Sequence, residues 1–368
     1  MRLQLPIIKG ELKMKVYAVI MAGGEGTRFW PISRKSIPKQ LLNLSGNDLM
    51  INETINRISK VIDPDDIFII TNINLIDSIK KATIGKINSE HILAEPKSCN
   101  TAACIGYAAC VIINRYGDGI MCIFPSDHYI KNEEEFIRII NLAVDNASNN
   151  EILITIGITP TFPSTGYGYI KCLKTNRTVM QRVLEFKEKP SYKTAESFYN
   201  CGEYLWNSGI FVWKASTILN CFLRYEPDTY MLFKRILNTM NTPLEQDTIN
   251  DVYTNIKCLS IDKCILECSN EVFVIPSELY WNDVGSWDML KTIQHTDKEG
   301  NITFGDILKI DTSNSVLYSN KRLIATLGIQ NLVIVETDDA ILVCDKNRTQ
   351  EIKNIVKELE QKGRFDLL

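Results

Sequence analysis

Long apolar runs are missing from this chain: in 368 residues none approaches the roughly eighteen that would span a membrane. The opening MRLQLPIIKGELK is broken by Pro6 and too short in its apolar part for a signal peptide. Basic clusters are missing as well. With a net charge of −3, nothing points to nucleic acid as the main partner. No Cys-x-x-Cys pair occurs, and Cys264 and Cys268 lie four apart with no histidine near, so zinc is a poor fit. The 11 cysteines are an odd number, and Cys104, Cys110, Cys122 and Cys344 sit in apolar runs as small core residues would. A reduced, cytoplasmic protein fits these absences best.

What is present is an ordinary globular composition, 45% hydrophobic and 23% charged. The length suggests two domains. The apolar run Val16 to Met21 is short and rich in β-branched residues, as a buried parallel strand is. It runs into Ala22, Gly23, Gly24, Glu25 and Gly26, where the backbone can turn sharply and present its N–H groups to a phosphate. Thr27 and Arg28 follow, and eleven residues beyond Arg28 comes Lys39, inside Pro38-Lys39-Gln40. Two cations converging on a glycine loop make a polyanion site, with a nucleoside triphosphate the obvious occupant. The loop is neither of the commoner phosphate binders. A P-loop needs Gly-Lys followed by Ser or Thr, and the dinucleotide fingerprint needs a glycine where Phe29 stands.

Further along, apolar runs and helical spacings alternate. Strands are expected at 67–71, 91–94, 120–124 and 152–158. Helices are expected at 49–62, at 75–84, from Asn100 and Thr101 as caps to Tyr116, and after an Asn132 cap with Glu135 placed for a capping box. Five strand–helix alternations with short links predict an α/β fold: a Rossmann-like open, mostly parallel sheet that binds ligands beyond the carboxyl ends of its strands. From Thr159 the rhythm loosens into strands at 167–172, 179–186, 208–213 and 272–275. Helices are expected at 192–201, 215–225, much of 228–255, 262–269 and 286–294. After Asn301 come short β runs without an exact repeat and a closing helix carrying Ile352, Ile355, Val356 and Leu359 on one face. The division expected is an N-terminal extension over 1–15, a catalytic domain over 16–296 and a small β-rich domain over 297–368. The tail must pack on the core or on a second copy of the chain, as a homodimer would provide.

Several strings carry chemistry. Asp127 directly follows the apolar run 120–124 and suits a hard cation, although a lone aspartate there more often caps a turn. Asp283 lies in Tyr-Trp-Asn-Asp-Val-Gly-Ser-Trp, where capping the next helix is the competing role. Glu188-Lys189-Pro190 alone reads as solvated surface. Gly166-Tyr167-Gly168 lets backbone approach a ligand, and Asn207 offers an amide to a pair of hydroxyls. Together with Gly-Thr-Arg-Phe-Trp-Pro, Ser33-Arg34 and Pro-Lys-Gln, these strings resemble the nucleotidyltransferases that join a nucleoside monophosphate to a sugar 1-phosphate. Within that group they look like the mannose-1-phosphate guanylyltransferases. The resemblance covers about 16–295 motif by motif and the rest more loosely. Asn282, Ser191 and Ala103 depart from the residues that relatives usually carry.

The resemblance implies a nucleotide-diphospho-sugar transferase fold and GMP transfer from GTP to mannose 1-phosphate, releasing GDP-mannose and diphosphate. It implies Mg²⁺, or another divalent cation, on Asp127 and Asp283, and no organic cofactor. The nucleotide would lie on Ala22, Gly23, Gly24, Gly26, Thr27, Arg28, Lys39 and Asp127, with Glu95, Asn100 and Thr101 facing the base. The sugar phosphate would lie on Gly168, Glu188, Lys189, Asn207 and Asp283. Arg28, Lys39, Asp127, Lys189 and Asp283 would be catalytic, His128 structural. Many bacterial relatives continue into a cupin-type isomerase domain where this sequence stops, so isomerase activity is not expected. The rival readings are the same chemistry with UTP or dTTP and glucose 1-phosphate, or a non-catalytic sugar-nucleotide sensor.

Overall fold

The computed structural model describes residues 14–172 and 179–368; of the expected N-terminal extension, 1–13 lie outside the described residues. The main sheet runs in the order Ile92–Glu95, Ile67–Asn72, Val16–Met21, Ile120–Pro125, Tyr204–Lys214, Leu153–Ile158, Val272–Ser277 and Gln181–Arg182. The first four strands are parallel, and Leu153–Ile158 and Val272–Ser277 are parallel to each other. Between these two groups lies Tyr204–Lys214, antiparallel to both neighbours. The strand expected at 208–213 is therefore longer, and it makes the sheet mixed. Its register slips between Asn207 and Phe211, around Gly209 at φ 73.

Ile, Val and Leu dominate these strands because both faces are covered. On one side pack Asn100–Tyr116 and the helices Ala215–Tyr225, Pro227–Thr239 and Glu245–Asn255. On the other pack Met50–Ile58 and Glu133–Asn149. Parallel register brings Met21 beside Pro125 and Asn72 beside Glu95, so the loops after these strands leave from one edge.

Asn132 caps its helix as expected, accepting from the Glu135 N–H, but Glu135 turns its carboxylate to Arg138 instead of closing a capping box. Asn100 and Thr101 are not caps. The Ala102 N–H reaches the Leu259 carbonyl at 3.1 Å, and the Thr101 hydroxyl accepts from the Ile261 N–H at 2.9 Å. The Thr101 N–H goes to the Asn100 side-chain oxygen at 2.8 Å and the Ala102 N–H to a neighbouring loop, so the first turn is satisfied without a side-chain cap from Cys99. The stretch expected as a helix at 286–294 is a 3-10 helix, Trp287–Thr292, and that at 262–269 is a short π-helix, Asp262–Leu266. Among the described residues no helix is long and apolar enough to cross a membrane.

The small C-terminal domain is a coil of parallel strands. Ile302–Phe304, Val316–Ser319 and Leu332–Glu336 stack in parallel, and Ile307–Ile310 stacks on Ile324–Leu327. The expected single run from Ile302 to Ile310 is split at Gly305, where an added Cβ would lie 2.1 Å from the Ser319 carbonyl oxygen. Asn314 and Asn331 adopt positive φ at equivalent corners, and their amides bond to each other. A repeat is thus present in space. It escapes a sequence search because one coil advances from Ile302 to Val316 and the next from Val316 to Val333.

This coil does not stand apart from the sheet domain. Val316, Val333, Val335, Leu342, Ile352 and Val356 share one buried cluster with Phe29, Trp30, Val284 and Trp287. The Trp30 indole donates to the Leu367 carbonyl at 2.9 Å, and Arg34 donates to the same carbonyl while pairing with Asp339. Each apolar side chain so covered contributes about 1.5–3 kcal/mol. Removing 297–368 should therefore leave a fragment that melts well below the parent or aggregates. A monodisperse fragment with the parent's melting temperature would contradict this.

Candidate active site

At the carboxyl edge of the sheet lies a cleft of about 410 Å³. Gly23, Gly24, Glu95, Asn100 and Thr101 line it on the glycine-loop side, and Gly168, Glu188, Lys189, Asn207, Asp262 and Asp283 line the rest. The structure thus gathers into one space residues that the sequence scatters from Gly23 to Asp283. Ala22, Gly26, Thr27, Arg28, Lys39 and Asp127 are not among the lining residues. Lys39 and Arg28 lie against the Asp283 loop, Lys39 holds Asp127, Ala22 and Gly26 flank the lining glycines, and Thr27 lines a separate depression with Trp30 and Arg34.

Lys39 is the centre of this group. Its side chain is 7% exposed, and its ammonium donates to the Asp127 carboxylate at 2.8 Å, to the Asp127 carbonyl at 3.0 Å, and to the Asp283 carbonyl. An ammonium has three protons, and all three have acceptors in this arrangement. Lys39 reaches this place only because Gly26 lacks a side chain: a Cβ there would lie 2.4 Å from the Lys39 Cβ. Gly26 also adopts φ 65, the left-handed region that suits glycine. Gln40, buried beside Lys39, donates to the Ala22 carbonyl at 2.8 Å and ties this segment to the end of the first strand.

Burial pushes the Asp127 carboxyl up, but the Lys39 ammonium, His128 and hydrogen bonds together hold its pKa below the ordinary value. Asp283 does not cap the helix that follows. Its Oδ1 accepts from the Tyr167 hydroxyl at 2.9 Å. Beside it, an added Cβ on Gly285 would lie 3.0 Å from both Asp283 Oδ2 and Arg28 Nη1, which places Arg28 over the same loop. His128, expected to be structural, lines the cleft. Its Nδ1 accepts from the Trp281 indole at 3.2 Å, and desolvation lowers its pKa to about 4, so the ring is neutral at pH 7.

Among the described residues no three His, Cys, Asp or Glu side chains are grouped to hold a metal ion. The Asp127 carboxylate and the Asp283 backbone carbonyl both meet the Lys39 ammonium, while the Asp283 carboxylate faces Tyr167. Magnesium is commonly held by one or two carboxylates, with substrate phosphates and water completing the shell, so the donor set fits a metal that arrives with its substrate.

Gly168, Glu188, Lys189 and Asn207 form a second corner. The Gly168 carbonyl accepts the Asn207 N–H at 2.8 Å, and an added Cβ on Gly168 would lie 2.6 Å from the Glu188 carboxylate. Lys189, at φ 45, sets its ammonium 3.0 Å from the Glu188 carboxylate. Asn207 is less free than the sequence suggests. Its oxygen accepts from Thr155 and from the Gly209 N–H, and one amide N–H goes to Asp262 at 2.8 Å. Asp262 is absent from the sequence reading, because nothing local distinguishes it from a helical surface acid. Burial, reinforced by the Glu188 charge, pushes its pKa up to about 7.

On the glycine-loop side, Glu95 is 3% exposed, with Oε1 accepting from the Tyr253 hydroxyl at 2.9 Å. Tyr253 is the second residue missed; it sits 158 positions away and reaches Glu95 only through packing.

The sequence profile of the nucleotidyl transferase family matches residues 17–300, and that of the mannose-phosphate isomerase/GMP-like β-helix domain matches 305–359. The xanthan biosynthesis protein XanB of Xanthomonas campestris pv. campestris is 36% identical over 95% of this chain and 74% of its own length. A mannose-1-phosphate guanylyltransferase of Salmonella montevideo is 34% identical over 95% of this chain and 74% of its own. A Thermus thermophilus crystal structure, described as a mannose-1-phosphate geranyltransferase, superposes with a TM-score of 0.85 at 29% identity, covering 94% of this chain and all of that one.

The buried Glu95 carboxyl yields a pH prediction. Burial raises its pKa to about 7, against the pull of the Tyr253 hydroxyl. The folded chain therefore keeps this proton to higher pH than the unfolded chain does. The group's contribution to stability is complete below about pH 4.3 and is lost as pH rises through about 7. Glu95→Gln keeps an acceptor for Tyr253 but cannot ionise. Its melting temperature relative to the parent should rise by several degrees between pH 5 and pH 8. A parent that gains on the variant over that range would contradict the assignment.

Proposed function

This chain belongs to the nucleotidyl transferase family, and from that premise we propose that it transfers GMP from GTP to mannose 1-phosphate, giving GDP-mannose and diphosphate. The observation that carries the reading is the convergence of Gly26, Asp127 and Asp283 on Lys39, beside a cleft whose lining joins Gly23, Gly24 and Asp283 to the Glu188–Lys189 corner. A polyanion fits the first group and a sugar phosphate the second. We take 16–296 as the catalytic domain and 297–368 as a domain that buttresses it.

In the proposed reaction a sugar phosphate oxygen attacks the α-phosphorus of GTP in line. The new bond joins that oxygen to phosphorus, and the bond to the β-phosphate bridge breaks with its electrons leaving on diphosphate. The attacking phosphate is already anionic at neutral pH, so no general base is required. Catalysis then consists of positioning and charge. Backbone N–H groups of Gly23 and Gly24 meet the triphosphate, and Arg28 neutralises the departing diphosphate. Lys39 fixes Asp127 and Asp283 and adds its charge to the same place. Lys189 aims the attacking phosphate while Glu188 and the Asn207–Asp262 pair take sugar hydroxyls. Asp127 and Asp283 would hold Mg²⁺, which when bound shields the anionic partners from each other. Glu95, Asn100 and Thr101 face the base.

Cys104, Cys110 and Cys122 are buried as small core residues, which fits a reducing, cytoplasmic setting. A homodimer is the proposed assembly; Leu308, Ile310 and Leu327 offer it an exposed apolar strand face.

The test is diphosphate release across nucleotide and sugar phosphate pairs with Mg²⁺. GTP with mannose 1-phosphate should exceed UTP or dTTP with glucose 1-phosphate. A reversed preference moves the chain to a sister activity, and no release with any pair makes it a binding protein. Within the active enzyme, Asp283→Asn should lower kcat by about a hundredfold or more while GTP affinity and melting temperature stay near the parent's. Parent-like turnover with unchanged Mg²⁺ dependence would remove Asp283 from the metal site.

A further inference from the structure

Arg28 is the cation that the reaction places on the departing diphosphate, yet what aims it lies outside the catalytic domain. Its Nη1 donates at 2.9 Å to the side-chain oxygen of Gln350, 322 positions later in the chain. The Gln350 amide nitrogen donates in turn to the Ser286 hydroxyl at 2.8 Å. Ser286 is fully buried, three residues from Asp283, and its hydroxyl donates to Asp288, which also accepts from Thr349. One side chain of the C-terminal domain thus bridges the arginine loop and the aspartate loop.

From this we infer that Gln350 is a positioning residue, through which the C-terminal domain holds Arg28 and the Asp283 loop at their working separation. The inference rests on the nucleotidyl transfer reading of the cleft. A glutamine suits the task because its oxygen accepts from a guanidinium while its nitrogen donates to a hydroxyl. Nη1 offers Gln350 a single bond, and the guanidinium keeps its other N–H groups for phosphate oxygens. Arg28 is a flexible side chain next to a glycine loop, and without Gln350 it would sample many rotamers before meeting the leaving group. The loss falls on the step where negative charge develops, so it appears in kcat more than in the Michaelis constants.

Gln350 is exposed, so replacing it should leave the fold intact. Gln350→Ala and the near-isosteric Gln350→Met should each lower kcat by about tenfold, since small displacements of an aligned group cost one to two decades. Michaelis constants for GTP and mannose 1-phosphate should stay within about twofold of the parent, with little change in melting temperature. The discriminating variant is Gln350→Met in an Arg28→Ala background. There it should change kcat no further, because the group it positions is gone. Parent-like kcat in both single variants, or a full second loss in the Arg28→Ala background, would overturn the role of Gln350. A parent chain that transfers no nucleotide at all would overturn the functional reading and this inference with it.

Discussion

A buried ammonium is costly unless each of its protons finds an acceptor, and the structure is arranged to supply them to Lys39. The Asp127 carboxylate and carbonyl and the Asp283 carbonyl surround it. The loop after the first strand, the end of Ile120–Pro125 and the segment before Trp287 must all reach the same point. Gly26 is fixed by this demand, since any side chain there would collide with Lys39. The ion pair also helps to keep Asp127 ionised despite desolvation. Removing either partner would leave an uncompensated charge in a poorly solvated place, which is more damaging than losing both.

The C-terminal coil extends the same logic. Its valines cover Phe29, Trp30 and Trp287, residues that flank the arginine and aspartate loops. Its last residues accept hydrogen bonds from Trp30 and Arg34. The loops that carry Arg28 and Asp283 are therefore held between two domains, and a site built on glycine-rich backbone gains rigidity from outside its own sheet.

Much of this was legible in the sequence because the chemistry is encoded locally. The strand at Val16–Met21, the glycine loop, Pro-Lys-Gln and the aspartates at 127 and 283 are contiguous strings whose surroundings follow from the strands before them. What stayed hidden depends on contacts between distant segments. Asp262 looks like any acid in a helical stretch until Asn207 is seen to bond it, and Tyr253 and Gln350 reach the site from 158 and 322 positions away. The helix expected to be capped by Asn100 and Thr101 instead sends its Ala102 N–H to the carbonyl of a neighbouring loop, at Leu259. The coiled form of the tail was hidden by unequal coil lengths. Its β content was not.

The proposed reaction needs only positioning and neutralisation of the two substrates, with no covalent bond to the enzyme. Among the described residues, no histidine or cysteine of the cleft is set up as a nucleophile. The His128 Nδ1 lone pair is taken by the Trp281 indole, which leaves the proton of the neutral ring on Nε2, and burial keeps the thiols of Cys99 and Cys104, which also line the cleft, from ionising. The most direct test is the stereochemical course at phosphorus, using GTP made chiral at the α-position with sulfur and mannose 1-phosphate as acceptor. A single in-line displacement inverts the configuration, so the thio analogue of GDP-mannose with inverted configuration at the guanosine-side phosphorus is the expected product. Retention would require two displacements and a nucleotide-bound enzyme between them, and would contradict the account.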